Sequence, residues 1–251
     1  MITTNRAVVF NCKHYYKIGG LKMSSKIRPY KSEYGHLEID GAIIEKWNEN
    51  RIPLPKGAGA EFIAPTNLIA KLYKPLYFNW NWEAGGRPFW ADPEELVYGE
   101  NWLKPLSPSY PYYGGAWTGS ISHFPYSKEL LKINEWLNRY GWSIPADWRP
   151  IIKAINAEIE YPKGTILTRA SMREGIFRSL EDRYKFSRSG SVLHGWLLYR
   201  GWLGSYWSTL EHSKFDTCCL TITNERGTVT VDAQDAQRRS IAMAVRCVST
   251  M

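Results

Sequence analysis

The C-terminal stretch at residues 238–251, RRSIAMAVRCVSTM, decides the fold of this chain. After two arginines, every residue from Ile241 to Val248 is small or apolar except Arg246. Such a run predicts a buried β-strand that closes a sheet. An unpaired buried charge would be very unfavourable, so we expect the Arg246 guanidinium to meet backbone carbonyls or a buried acid. Arg246 is therefore interpreted as part of the scaffold, with any ligand-binding residues upstream of it.

In the segments before this stretch, the residue pattern repeats with a period of two, which is typical of β-strands because successive side chains point to opposite faces. In FDTCCLTIT, at 215–223, one face carries Cys218, Leu220 and Ile222, and the other carries Phe215, Thr217, Cys219, Thr221 and Thr223. NERG, at 224–227, predicts a hairpin loop in which Gly227 needs a positive φ. TVTVD follows at 228–232, with Val229 and Val231 pointing inward. The pattern predicts an antiparallel meander with one buried face.

Four other segments have helical patterns. SKELLKINEWLNRYG, at 127–141, has apolar residues at helical spacing, with Ser127 as its cap and Gly141 after its end. Pro145 and Asp147 mark the entry to a helix that continues through IIKAINAEI, at 151–159. We expect further helices in ASMREGIFRSLEDRY, at 170–184, and in GAIIEKWNEN, at 41–50. Short helices combined with a meander predict an α+β fold.

The N-terminal half has a different composition. RAVVFN, at 6–11, predicts a strand, and RIPLPKGAGAEFIAP, at 51–65, reads as a loop or linker. Residues 66–126 are dense in Trp, Tyr, Pro and Gly, so we expect short strands and long loops held by aromatic packing. We predict two regions: 1–126, an aromatic-rich, irregular region that packs on its neighbour or attaches it to a larger assembly, and 127–251, a ligand-binding domain.

Composition limits the function classes. The chain has 251 residues with 12 Trp and 16 Tyr, a content common in β-rich domains and in surfaces that bind sugars or proteins. Its net charge of +8 is spread without a basic run, so we do not expect nucleic-acid binding. We find no apolar stretch of about 18 residues for membrane insertion and no Sec signal at the start. The four cysteines have neither zinc nor disulfide spacing, and Cys218 and Cys219 are expected to be free thiols.

Three motifs resemble a known family, the Fibrobacter succinogenes major paralogous domain, which is abundant in Bacteroidetes and has a C-type-lectin-like fold. The resemblance covers only the C-terminal half and lies at Gly141, Trp142, Pro145 and Trp148, at Gly204, Tyr206, Trp207 and Ser208, and at Arg239, Val245, Arg246, Cys247 and Val248. Ala242 departs from the family, which usually has Gly there. The region is also similar to variable proteins of diversity-generating retroelements, including phage tropism determinants. This resemblance implies ligand display between the Tyr-Trp-Ser motif and the final strand.

The candidate ligand-binding residues combine aromatic faces with adaptable polar groups. They are Trp202, Tyr206, His212, Lys214, Asp216, Asn224, Arg226, Asp232, Gln234, Asp235 and Gln237. Taken singly, each polar residue is better explained as a solvated loop residue, and Trp207 is best explained by core packing. As a group, they occupy the region that the resemblance assigns to recognition, where loops on a rigid sheet carry function.

Enzymatic patterns are weak in this sequence. The five histidines are not paired at helical spacing, and we find neither a Gly-x-Ser-x-Gly motif, a phosphate loop nor the calcium motifs of C-type lectins. We therefore expect no catalytic residues, cofactor or metal. We predict that the protein recognises a cell-surface glycan or protein, as a phage or prophage receptor-binding or virion-surface protein. Its expected partners include further copies of itself in a homo-oligomer or a virion assembly. The alternatives are a secreted surface adhesin or pilus-associated lectin, and an enzyme of the formylglycine-generating type.

Overall fold

The computed structural model describes residues 15–18, 21–24, 27–32, 37–76, 80–81, 87–88, 117–193, 196–213, 215–239 and 241–250. Within these ranges the protein is an α+β structure. Its helices are α1 (Ala42–Asn50), α2 (Lys128–Asn138), α3 (Arg149–Ala157) and α4 (Arg169–Asp182). All four match segments that the sequence predicted to be helical. The predicted strand at 6–11 and most of the aromatic-rich stretch lie outside the described residues.

The strands form one large sheet and four smaller ones. The large sheet contains β11 (His123–Pro125), β13 (Ser191–Leu193), β14 (Trp196–Leu198), β15 (Leu203–Glu211), β16 (Asp216–Glu225), β17 (Thr228–Arg238) and β18 (Ala242–Ala244). One four-stranded sheet contains β3 (Tyr30–Lys31), β4 (Leu37–Ile39), β7 (Ala70–Leu76) and β10 (Trp117–Ile121). A second four-stranded sheet contains β5 (Ile52–Pro53), β6 (Phe62–Ile63), β12 (Trp142–Ser143) and β19 (Val248–Ser249). The remaining pairs are β1 (Tyr15–Ile18) with β2 (Leu21–Ser24), and β8 (Trp80–Asn81) with β9 (Arg87–Pro88).

The large sheet has the order β14-β13-β18-β15-β16-β17, and β11 pairs with β18 beside this path. The neighbours β15, β16 and β17 are antiparallel, as the sequence predicted. The prediction of a simple meander is wrong in one respect, because β18 inserts next to β15 and runs parallel to it at Tyr206 and Ala244. β18 therefore lies inside the sheet, and β17 is left as an edge strand.

Both faces of β15 and β16 are buried at the centre of the sheet. Trp207 and Cys219 belong to one apolar core, whereas Tyr206, Leu220 and Ile222 belong to a second core on the opposite side. The predicted single buried face is therefore wrong for these two strands, because helices and loops cover them from both sides. The sequence predicted that buried and exposed residues alternate along the strands. This alternation is present on β17, where exposed residues recur along the strand.

Local signals set the helix ends. The Ser127 hydroxyl accepts a hydrogen bond from the Leu130 amide at 3.3 Å, which caps α2 as predicted. Thr168 caps α4 in a capping box with Ser171. Gly141, with φ of +78°, follows α2 in the left-handed region that glycine tolerates. These caps place α2 against the first core and α3 and α4 against the second.

The segment at 51–65 is more ordered than a linker. Ile52 pairs with Ile63, and Val248 at the end of the chain pairs with the other side of Ile63. The first core also contains residues from both predicted regions, such as Trp47 and Val245. The described part of the N-terminal region is thus joined to the C-terminal one by a sheet and by a shared core, and the boundary at 126 remains a prediction.

The closing segment divides between two sheets. Ala242–Ala244 forms β18 in the large sheet, and Val248–Ser249 forms β19 in the sheet that includes β6. The predicted continuous strand is therefore wrong, because the chain crosses from one sheet to the other at 245–247. Arg246 lies at this crossing and is 1% exposed.

Backbone carbonyls surround the Arg246 guanidinium, as the sequence analysis expected. It donates hydrogen bonds to Ala64 O at 3.0 Å, to Tyr184 O at 3.4 Å and to Lys185 O, and lies 4.9 Å from the centre of the Phe186 ring. Burial lowers the pKa of Arg246 to about 10, so the side chain remains charged at neutral pH. This one residue joins the 51–65 segment, the end of α4 and the closing segment.

Replacing Arg246 with Met keeps most of the side-chain volume and removes every donor. We expect Arg246→Met to lower the free energy of unfolding by about 3 kcal/mol, because three buried carbonyl contacts lose a charged donor. Urea denaturation followed by tryptophan fluorescence measures this change. The matched control is Arg173→Met on the exposed side of α4, for which we expect a change within about 0.5 kcal/mol. Equal stabilities of the two variants would contradict the assigned role.

Candidate functional site

The structure distributes the predicted ligand-binding residues over three places on the β15–β17 sheet. Trp202, Asn224 and Arg226 lie at the end where β15 begins and β16 turns into β17. Asp232, Gln234, Asp235 and Gln237 lie along β17. His212 and Asp216 lie at the opposite end, and Lys214 lies outside the described residues. The predicted set therefore does not form one continuous site.

Two large aromatic side chains protrude from the turn between β14 and β15. Tyr199 is 60% exposed and Trp202 is 54% exposed. The turn backbone is held by hydrogen bonds from the Trp202 and Leu203 amides to Tyr199 O at 3.0 and 2.9 Å, and from Gly201 N to Arg188 O at 2.8 Å. Tyr199 has a φ of +58°, which is uncommon for a bulky residue, and Gly201 has a φ of +88°. The backbone of this turn is therefore well held, and it carries both exposed rings.

The hairpin turn between β16 and β17 lies beside this aromatic turn. The Asn224 amide donates to Trp202 O at 3.0 Å, which ties the two turns together. Arg226 and Gly227 have φ values of +50° and +84°, as a two-residue type I′ turn requires, and Asn224 Oδ1 accepts from the Gly227 amide at 3.2 Å. The predicted positive φ of Gly227 is confirmed. We call Tyr199, Arg200, Trp202, Asn224 and Arg226 together the aromatic end.

A buried histidine connects this end to the sheet below it. His123 Nε2 contacts Gly190 O at 3.2 Å, and the Gly190 amide in turn donates to Leu203 O at 2.7 Å. Desolvation lowers the pKa of His123, and repulsion by the nearby Arg200 lowers it further, although backbone hydrogen bonds oppose both effects. A neutral imidazole therefore supports the segment on which the aromatic turn rests.

The polar residues on β17 mainly contact one another and their own sheet. Asp235 accepts from Thr221 Oγ1 and from Gln237 Nε2, both at 2.8 Å. Asp232 accepts from the Gln234 amide at 2.9 Å, and Gln234 accepts from an Arg149 guanidinium nitrogen at 3.4 Å. Asp232 and Gln234 are exposed, whereas Asp235 and Gln237 are half-buried. This face is a hydrogen-bonded polar surface, with Asp235 as its central acceptor.

Residues at the opposite end stabilise the turn between β15 and β16. Asp216 accepts from Ser213 Oγ at 2.8 Å and lies 3.4 Å from the Arg238 guanidinium. The His212 and Ser213 amides both donate to Asp216 O, at 3.1 and 3.0 Å. These contacts explain Asp216 as a residue that organises the turn, while the His212 side chain is exposed.

Tyr206 must be removed from the predicted binding set. Its side chain is 0% exposed and packs in the second core against Phe186, with ring centres 4.7 Å apart. Its hydroxyl donates to Ser187 O at 2.5 Å and accepts from the Ser187 amide at 2.8 Å. The strand places Tyr206 opposite Leu220 and faces it inward, so it cannot touch a ligand. Trp207 is also fully buried and donates to Phe124 O at 2.6 Å, in agreement with its interpretation as core.

Comparison with protein-family models found no match, and comparisons with curated proteins and with solved structures found none either. The resemblance in the C-terminal half therefore stays a prediction that depends on its three motifs. None of the helices in the described ranges combines the length and the hydropathy needed to cross a bilayer.

The cysteines in the described residues are not placed for thiolate chemistry. Cys218, Cys219 and Cys247 are free and buried, which confirms the predicted free thiols at the first two positions. Desolvation raises the pKa of Cys219 to about 12 and also raises the pKa values of Cys218 and Cys247. The described part of the chain contains no group of three or more His, Cys, Asp or Glu side chains that could hold a metal ion.

Tyr199 and Arg200 are the site residues that the sequence analysis missed. The signal was present in the tetrapeptide Tyr-Arg-Gly-Trp at 199–202, where Gly201 marks a turn between two apolar segments. A turn with aromatic residues at both ends exposes at least part of each ring. Periodicity alone could not reveal it, because the adjacent strand β14 has only three residues.

We expect the three buried cysteines to resist alkylation in the folded protein. At pH 8, a thiol with a pKa near that of Cys219 is ionised in only about one molecule in ten thousand. Iodoacetamide labelling followed by peptide mapping should find Cys218, Cys219 and Cys247 unmodified in buffer and fully modified in guanidinium chloride. Rapid labelling of Cys219 in buffer would contradict its buried position.

Acidification should destabilise the protein through His123. Its pKa is lower in the folded state than the ordinary 6.5, so the unfolded chain takes up a proton first and stability is lost as the pH falls below that value. We expect wild-type protein to lose up to about 1.4 kcal/mol per pH unit more than His123→Gln between pH 7 and pH 5. Urea denaturation at several pH values measures this difference. His212→Gln at an exposed position is the control and should follow wild type. Parallel pH profiles for wild type and His123→Gln would contradict the effect.

Proposed function

We propose that this chain is a non-catalytic recognition protein that binds a cell-surface ligand, a glycan or a protein, through its aromatic end. The observation that carries the proposal is the exposure of Tyr199 and Trp202 on a turn whose backbone is fixed by hydrogen bonds. Exposed tryptophan and tyrosine side chains beside adaptable polar groups are typical of binding surfaces.

The rigidity of the turn backbone at this end favours a role in ligand binding over that of a turn that contacts only solvent. Ordering a flexible loop on binding reduces affinity, whereas a turn that is already ordered avoids that loss. The Tyr199 backbone occupies an unfavourable conformation for a bulky residue, and the surrounding hydrogen bonds maintain it. A ligand would meet two rings and the Asn224 and Arg226 side chains without rearranging the sheet.

We further propose that the platform is C-type-lectin-like, as the resemblance implies. Support comes from the structural roles of the motif residues. The Trp148 indole donates to both Tyr206 O and Trp207 O at 3.1 Å, which ties the motif at 141–148 to the Tyr-Trp-Ser motif. At Gly204, an added Cβ would lie 2.7 Å from Ser187 O, so the strand approaches its neighbour too closely for another residue. The motifs thus behave as architecture.

The biological setting that we propose is the surface of a phage or prophage virion, where the protein would contact the receptor of a host cell. This setting follows from the similarity of the C-terminal half to phage tropism determinants. The chain's positive net charge of +8 would favour its approach to the anionic surfaces of bacterial cells.

The experiment that tests the function is a whole-cell retention assay with the full chain. Fluorescently labelled protein is incubated with a panel of bacterial strains that includes Bacteroidetes, and the retained fraction is measured. We expect retention on a subset of strains and a loss of about tenfold or more for Trp202→Ala, because truncation of a central aromatic residue commonly removes 2 kcal/mol or more.

The control is Ile166→Ala, which also truncates an exposed apolar side chain but lies before α4, away from the aromatic end. It should bind like wild type, and both variants should unfold at the wild-type urea concentration. Retention of Trp202→Ala at the wild-type level on every binding strain would refute the aromatic end as the site.

A further inference from the structure

The aromatic end is positively charged as well as aromatic. Arg200 follows Tyr199 in the exposed turn, and Arg226 is the first residue of the neighbouring hairpin turn. Both side chains are exposed, and neither forms an ion pair with another described residue at 4.0 Å or less. Glu225 contributes the one acidic side chain in the hairpin turn. The two neighbouring turns therefore carry two guanidinium groups without an ion pair in the described chain, together with the two exposed rings.

One neighbouring arginine of this end already has an acidic partner. Arg188, whose carbonyl holds the aromatic turn, pairs with Glu181 at 2.7 Å. Along β17, Arg238 pairs with Asp216 at the far end of the sheet. Arg200 and Arg226 differ from these because neither forms an ion pair within 4.0 Å in the described chain, and Glu225, which precedes Arg226, forms none either. With two arginines and one glutamate in the two turns, charge complementarity favours an anionic group in a molecule that binds here.

The shape of this surface favours a saccharide over a folded protein. Arg200 and Gly201 separate Tyr199 from Trp202 along the turn, and the hairpin turn bonded to it carries Asn224, Glu225 and Arg226, so polar side chains interrupt the apolar ones at this end. Stable protein interfaces need a contiguous desolvated core, usually within more than about 1,000 Å² of buried surface. An isolated flat ring instead matches the C–H face of one sugar ring, with dispersion contacts on the ring and hydrogen bonds around its edge.

We infer that the aromatic end binds an acidic oligosaccharide: sugar rings pack on Trp202 and Tyr199, and a carboxylate or sulfate is bound by Arg226 and Arg200. A guanidinium can bind such a group through two parallel hydrogen bonds. Asn224 lies between the two turns, where its side-chain amide nitrogen can donate to a sugar hydroxyl while Oδ1 stays with the Gly227 amide. This inference rests on the proposed function and assigns its ligand class.

The test is binding of the full chain to an array of immobilised carboxylated, sulfated and neutral oligosaccharides. We expect binding to carboxylated or sulfated members at least about tenfold above their neutral counterparts, and weakening as sodium chloride is raised from 0.05 to 0.5 M. The double variant Arg200→Gln/Arg226→Gln should lose about tenfold or more, since a hydrogen bond to a charged group contributes about 1.5–3 kcal/mol. Trp202→Ala should lose binding to all members.

Arg173→Gln on α4 and Ile166→Ala are the matched controls, and both should bind like wild type. Equal binding to neutral and acidic members, or an unchanged double arginine variant, would overturn the inference. A third outcome would also overturn the inference: the protein is retained on cells, protease treatment of the cells abolishes this retention, and no oligosaccharide of the array binds. The ligand would then be a protein, and the proposed function would still hold. Absence of retention on any cell together with an unreactive array would overturn both.

Discussion

The buried guanidinium of Arg246 is the contact on which the arrangement of the sheets depends. The closing segment leaves the large sheet after Ala244 and enters a second sheet at Val248. Between the two, Val245 O and Cys247 O accept hydrogen bonds from the Leu68 and Ala64 amides, at 2.8 and 2.9 Å. Arg246 fills this crossing and supplies donors to carbonyls from residues 64, 184 and 185. Because a buried charge is tolerated only when its hydrogen bonds are made, these three segments are held in one relative position.

This crossing has a consequence for where recognition can occur. Since β18 inserts beside β15 and helices cover both sides, the central strands bury residues on both faces and present little to solvent. Exposed positions remain on the edge strand β17 and in the turns at the two ends of the sheet. Of these, the end around Asp216 carries polar groups that bond one another beside Phe215, which is 37% exposed, whereas the other end carries two aromatic side chains that are more than half exposed. The architecture therefore supports our proposal that a ligand binds at the aromatic end.

Sequence reasoning was accurate where the determining interactions are local. The Ser127 cap, the Gly227 turn and the apolar stripes of the helices each depend on residues within one or two turns of chain, so their positions could be predicted. The carbonyl environment of Arg246 also followed from a general energetic rule. The split of the closing segment and the second buried face could not be predicted, because both depend on which distant segments pack against the sheet. Tyr206 was misassigned for the same reason.

The hairpin turn at Arg226 and Gly227 also has an evolutionary consequence. It projects from the free end of the sheet, and a Cβ placed on Gly227 would meet no atom within 4 Å. Extra residues inserted between Glu225 and Thr228 would therefore extend into solvent and leave both apolar cores undisturbed, since lengthening a surface loop has a small entropic penalty. If the protein functions as we propose, insertions at this tip would change ligand choice while the scaffold remains unchanged.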